Sequence, residues 1–120
     1  MAAGKLTIYH NARCGKSRCA LEEVEQSGKS FQLVEYLKTP LSLSELKELQ
    51  GKLGRPVEEM VRTKEPIYKE LFGAKKPTET MLFKALAENP ILLERPIVVK
   101  GNKAWIVRSE EELEALKKQL

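Results

Sequence analysis

Aspartate is absent from this 120-residue chain: all 17 acidic residues are glutamate, and His10 is the single histidine. That removes whole classes of chemistry. A Ser-His-Asp triad, an EF-hand loop and the magnesium-binding aspartates of Walker-type or kinase-type sites all need a residue the chain does not have. Zinc needs three or four ligands, and His10, Cys14 and Cys19 do not stand at the usual spacings, so no metal is expected. Two cysteines are too few for a disulfide framework, and 42% hydrophobic residues can build a core without one. No apolar run approaches the ~20 residues of a membrane span. Residues 1–5 carry no apolar stretch of the secretory-signal kind. A reducing, cytoplasmic setting without a membrane partner is therefore expected. Aromatic residues make up only 6% and are not interleaved with the basic ones, which argues against a nucleic-acid stacking surface. The net charge of +4 on its own suits nucleic acid and small anionic substrates equally. No feature marks a large apolar interface, so a monomer is expected.

What is present reads as alternating elements. Residues 5–9 form an apolar, β-branched strand, and residues 15–27 a helix closed by Gly28, with Cys19, Ala20 and Val24 towards a core. Residues 31–36 form a second strand, parallel to the first because a single helix connects them. The middle is helical. Ser42 and Glu45 make a capping box ahead of a stripe of Leu43, Leu46, Leu49 and Leu53 that stops at Gly54. Short helices follow over 56–61 and 66–72, and Thr78 caps another with Met81, Leu82, Ala85 and Leu86 inward, ended by Asn89-Pro90. Strands at 96–99 and 104–107 flank a Gly101-Asn102 hairpin turn, and Ser109 with Glu112 makes a capping box for a final helix. The order is βαβ, a helical insert over 41–90, then ββα. This predicts an α/β fold, a single thioredoxin-like domain over 1–120 with a mixed four-stranded sheet and an all-helical insertion.

Chemistry concentrates at the first strand-to-helix junction. Cys14 stands there with Arg13, Lys16 and Arg18 within four residues of it. A helix start presents free N–H groups and partial positive charge, both of which favour a thiolate. The same features receive an oxyanion. Three more arginines complete the picture: Arg62 after a short helix, Arg95 before Pro96 at the start of the third strand, and Arg108 at the end of the fourth. In an antiparallel pair the last two belong to one end of the sheet. If the third strand runs antiparallel to the first, that end also carries Cys14. The planar guanidinium fork binds tetrahedral oxyanions through two oxygens at any relevant pH.

The blocks at residues 10–18, 61–68, 94–99 and 108–111 resemble the glutaredoxin-dependent arsenate reductase family, in order and spacing and over essentially the whole chain. The resemblance implies Cys14 as the nucleophile on arsenate, and Arg62, Arg95 and Arg108 as the oxyanion-binding trio. It also implies a cis bond before Pro96. His10, Asn11, Gly15, Ser17 and Arg18 would support the loop, with His10 either lowering the thiol's pKa or shaping the loop by hydrogen bonds. Arsenate would become a thiol adduct on Cys14, glutathione would add as co-substrate, and glutaredoxin would remove a mixed disulfide as arsenite leaves. No bound cofactor is implied. Two departures stand out. Ala12 occupies a position where the family usually has proline, and Cys19 is not part of the family's pattern. Five helical residues place Cys14 and Cys19 beyond disulfide reach, so Cys19 is expected in the core. Two rival functions remain: a related thiol reductase with another substrate, and an Spx-like regulator binding RNA polymerase. The C-x-x-C switch of the latter is missing, because Ser17 stands at its second position.

Overall fold

The computed structural model describes residues 6–120. The expectations for residues 1–5, Lys5 in the first strand among them, lie outside the described residues. The chain divides into two compact units, one formed by residues up to Thr39 with Arg95–Leu120, the other by Pro40–Glu94.

The first unit holds strands β1 (Leu6–Tyr9), β2 (Phe31–Val34), β3 (Ile97–Lys100) and β4 (Lys103–Ile106) in one sheet of order β2-β1-β3-β4. β1 and β2 are parallel, as the single connecting helix α1 (Gly15–Gln26) requires. β3 runs antiparallel to both β1 and β4. Tyr9 pairs with Ile97 and Ile97 with Ile106, so the end of β1, the start of β3 and the end of β4 share one edge of the sheet. The β3–β4 turn is closed by Gly101 at φ 63, a conformation that costs a side-chain-bearing residue more than glycine. On one face of the sheet, Leu6, Ile8 and Val98 pack with Ala20 and Val24 of α1 and Leu116 of helix α5 (Glu110–Gln119).

Helix α1 buries Ser17, Ala20 and Val24. Cys19, expected in that stripe, is exposed. The reason is angular: at about 100° per residue Cys19 is turned roughly 200° from Ser17 and roughly 140° from Val24, off the face that Ser17, Ala20 and Val24 bury. At α5 the Ser109 Oγ accepts from Glu112 N, but the reciprocal half of the box does not form. Glu112 Oε1 instead accepts from Arg108 N at 3.0 Å and from Ser109 Oγ at 3.1 Å.

The second unit contains α2 (Leu43–Leu53), α3 (Pro66–Phe72) and α4 (Glu79–Glu88), with 3-10 turns at Val57–Met60 and Pro90–Leu92. The Ser42–Glu45 box is complete and Gly54 ends α2 in the left-handed conformation. Leu46 and Leu49 are buried while Leu43 is exposed, and in α4 Phe83 is buried where Met81, expected inward, is exposed. Helix α4 packs on α2 and on both 3-10 turns. Among the described residues no helix is long and apolar enough to cross a membrane.

Candidate active site

The segment between β1 and α1 is shaped by its own backbone and two small side chains. Cys14 N donates to Asn11 O at 3.0 Å, and Arg13 N donates to Asn11 Oδ1 at 3.0 Å. Asn11 N donates to the Oγ of Ser17, which is fully buried. This fastens the loop to the first turn of α1. Ser17 is thus a structural acceptor where a C-x-x-C protein has its second thiol. Arg18 N donates to Cys14 O, and Arg18 Nη1 donates to Ala12 O at 3.3 Å, so that side chain closes back over the loop. Gly15 does not have a positive φ, and a Cβ there would meet only Arg18 Nη2 at 3.8 Å, an ordinary contact. His10 is buried, with its backbone N–H on Val34 O and its Nδ1 without a hydrogen-bond partner.

Cys14 is the N-cap residue of α1, in extended conformation and partly buried. Burial pushes its thiol up, but the backbone N–H groups of Ser17 and Lys16 and the hydrogen bond and charge of Arg95 outweigh that, leaving it below the ordinary thiol value. Of the cations that the sequence places nearest, Arg13, Lys16 and Arg18 all have exposed side chains. Backbone amides and a distant arginine do more for the thiolate than the neighbouring charges. Lys16 contributes through its N–H group.

Arg95 precedes a cis peptide bond to Pro96, and Pro96 O accepts from Val107 N at 2.9 Å. That bond ties the start of β3 to the end of β4 and sets Arg95 and Arg108 at the sheet edge that carries Cys14. Two donors of Arg95, Nε and Nη1, are buried with no hydrogen-bond partner. Buried N–H groups are seldom left unpaired, and an oxyanion is the ligand a guanidinium fork accepts best. Arg108 is exposed, its backbone held by Glu112.

Arg62 belongs to the second unit and is described within it. Its N–H donates to Leu92 O at 2.7 Å, beside the bridge between Val61 and Leu93. Its guanidinium lies 3.5 Å from Glu65 and 3.7 Å from Glu94, and its Nε is buried without a partner. Glu94 itself is 4% exposed. Sequence reasoning did not single it out, although a carboxylate following the apolar run 91–93 was a visible signal.

A cysteine of lowered pKa at the head of the first helix, a mixed four-stranded sheet and a proline loop at the same edge define a thioredoxin-like protein. More narrowly, residues 9–116 match the ArsC family, and the chain belongs to that family. An arsenate reductase of Neisseria meningitidis serogroup B is 44% identical over 115 residues, covering 93% of this chain and 97% of that protein. A protein of Escherichia coli K12 named as uncharacterized is 41% identical over 111 residues, 91% of this chain and 93% of its own length. The solved structure of an arsenate reductase from Vibrio cholerae superposes with a TM-score of 0.85 at 42% identity, covering 98% of this chain and 99% of that one.

Proposed function

We infer that this protein reduces arsenate to arsenite through a covalent adduct on Cys14. The observation that carries the reading is the pairing of a thiol of lowered pKa with Arg95, whose buried Nε and Nη1 lack partners. The thiolate is the nucleophile, and the unpaired donors are what a tetrahedral oxyanion satisfies. Relatives named arsenate reductase over nearly the whole chain supply the substrate class.

Cys14 sulfur forms a bond to arsenic as one arsenate oxygen leaves as water. A glutathione thiol forms a second sulfur–arsenic bond and a second water leaves. A glutaredoxin thiolate then attacks the glutathione sulfur. The electron pair of that sulfur–arsenic bond stays on arsenic, which becomes trivalent, and the mixed disulfide departs. Hydrolysis frees arsenite and restores Cys14. The sum is one arsenate and two thiols giving arsenite, one disulfide and water. Arg95 and Arg108 offset charge on the arsenic oxygens, and fixed donors of this kind are worth several kcal/mol when aimed at developing charge, roughly 10²–10³ in rate for one donor. Arg62 enters the reading through the family resemblance.

Arsenate-dependent NADPH oxidation, coupled through glutathione, glutaredoxin and glutathione reductase, tests the reading. Wild type turns over, Cys14→Ser falls to background, and Arg95→Ala loses about 100-fold in kcat/KM. Arg62→Ala raises the KM for arsenate. A folded wild type that alkylates readily at Cys14 yet leaves arsenate untouched points instead to a thiol reductase with another substrate.

A further inference from the structure

Among the described residues Glu94 is the only buried carboxylate, at 4% exposure, and the proposed reaction assigns it no part. Carboxylates are seldom buried unless paired. Its Oε1 lies 3.7 Å from Nη1 of Arg62, and Nη2 of the same guanidinium lies 3.5 Å from Glu65 Oε2. We propose that Glu94 is a positioning residue for Arg62: with Glu65 at the other nitrogen, it fixes the guanidinium plane before an oxyanion arrives. The proposal deepens the arsenate-reductase reading and rests on it for the oxyanion that Arg62 receives.

The backbone is held as closely as the side chains. Arg62 N donates to Leu92 O at 2.7 Å and Glu94 N donates to Met60 O at 2.8 Å, one bond on each side of the Val61–Leu93 bridge. Arg62 O in turn accepts from Glu65 N at 3.2 Å. Both members of the ion pair are thus anchored in one short antiparallel ladder. Folding alone gives no reason for a charge at this position. Met60, Leu92 and Leu93 are buried and apolar, and a buried ion pair is often no more stable than apolar residues of similar volume. What a carboxylate supplies and an apolar side chain cannot is direction. A long arginine loses rotamer freedom when it takes a ligand, and holding it in place beforehand removes that loss from the binding step. The two contacts are ion pairs longer than a hydrogen bond, and Nε is buried without a partner, so the fork keeps N–H donors for an incoming oxyanion.

The sign of one effect separates orientation from charge. A carboxylate beside an anion-binding arginine repels the anion, so by charge alone its removal lowers the KM. Removal of a carboxylate that orients the arginine raises it. The test measures the arsenate KM of Glu94→Gln in the coupled assay, alone and combined with Arg62→Ala. A rise of about tenfold is expected, the low end of what partners that orient metal ligands are worth, with kcat little changed. In Arg62→Ala the same substitution should add nothing, which separates this pairing from any other contact of Glu94. The Arg62 Nε–H peak in a ¹H–¹⁵N spectrum, assigned by its loss in Arg62→Ala, should weaken in Glu94→Gln through faster exchange with water, while the backbone peaks show a folded chain. Glu94→Met keeps the side chain's length, suits an interior position and should raise the KM likewise, so the test stands if the glutamine variant folds poorly. A KM that falls or stays, a rise that persists without Arg62, or an unaltered Nε–H peak overturns the proposal. A wild type that leaves arsenate untouched, with the Nε–H peak still weakened in Glu94→Gln, removes the arsenate reading and retains Glu94 as the residue that orients Arg62.

Discussion

In the proposed reaction a single sulfur, that of Cys14, carries the chemistry, and its protonation sets when that reaction can run. Because folding lowers the Cys14 pKa, ionisation of the thiol favours the native state. That stabilisation is complete above the unfolded thiol's pKa and is lost as pH falls through the native value. Two outcomes are expected. Thiolate absorbance at 240 nm in a Cys19→Ala background titrates below the ordinary value of about 8.5, and Arg95→Ala moves it up towards that value. The unfolding free energy of wild type relative to Cys14→Ser rises with pH across the same window, read from urea titrations at several pH values. A titration unchanged by Arg95→Ala would mean that the backbone amides alone hold the thiolate. At this scale the sequence was only partly legible. The thiol and its helix start could be read directly. The exposure of Arg13, Lys16 and Arg18 could not, since the way the loop and the first turn of α1 face depends on bonds such as Asn11 N to Ser17 Oγ that span several residues.

Among the elements, α1 and the loop before it form one mechanical piece, joined through Ser17. Ser17→Ala leaves the buried Asn11 N–H without its acceptor, a loss of about 1–3 kcal/mol. The expected outcome is a lower urea midpoint with unchanged m-value, together with a slower reaction of Cys14 with iodoacetamide at pH 7. A purely thermodynamic effect, with Cys14 reactivity intact, would show that Ser17 supports the fold without positioning the sulfur. Local signals made the elements easy to anticipate: Ser42, Thr78 and Ser109 each begin a helix because their hydroxyls accept a backbone N–H three residues on. The failures were of facing and of partnership. Cys19 and Met81 turned outward because one residue's error in a helical stripe is a rotation of about 100°. Glu112 chose Arg108 N over Ser109 N because its carboxylate could also take the Ser109 hydroxyl. The pairing of Arg62 with Glu65 and Glu94 includes a partner far along the chain, which no local pattern encodes.

For the molecule as a whole, the small positive excess and the absence of aspartate leave a surface on which arginine and lysine outnumber carboxylates by four charges. Anionic substrates are drawn to such a surface weakly and over a distance that salt shortens, from a Debye length of about 10 Å at 0.1 M to about 3 Å at 1 M. The KM for arsenate is expected to rise between those ionic strengths while kcat changes little, measured by the coupled assay with a non-coordinating salt. A kcat that falls in step would assign the salt effect to the chemical step at Arg95 and Cys14.

The antiparallel pairing of β1 with β3 joins Tyr9 to Ile97, with most of the chain looped out between them. Closing so long a loop is slow compared with forming the local β1–α1–β2 unit or the β3–β4 hairpin. Cys14 travels with the former and Arg95 with the latter, so the sulfur and its guanidinium meet only when that closure is made. In a refolding experiment the thiolate absorbance therefore acquires its Arg95-dependent part late, after most helical signal has returned. The Cys14 thiol is thus also a clock for the slowest event in the making of the sheet.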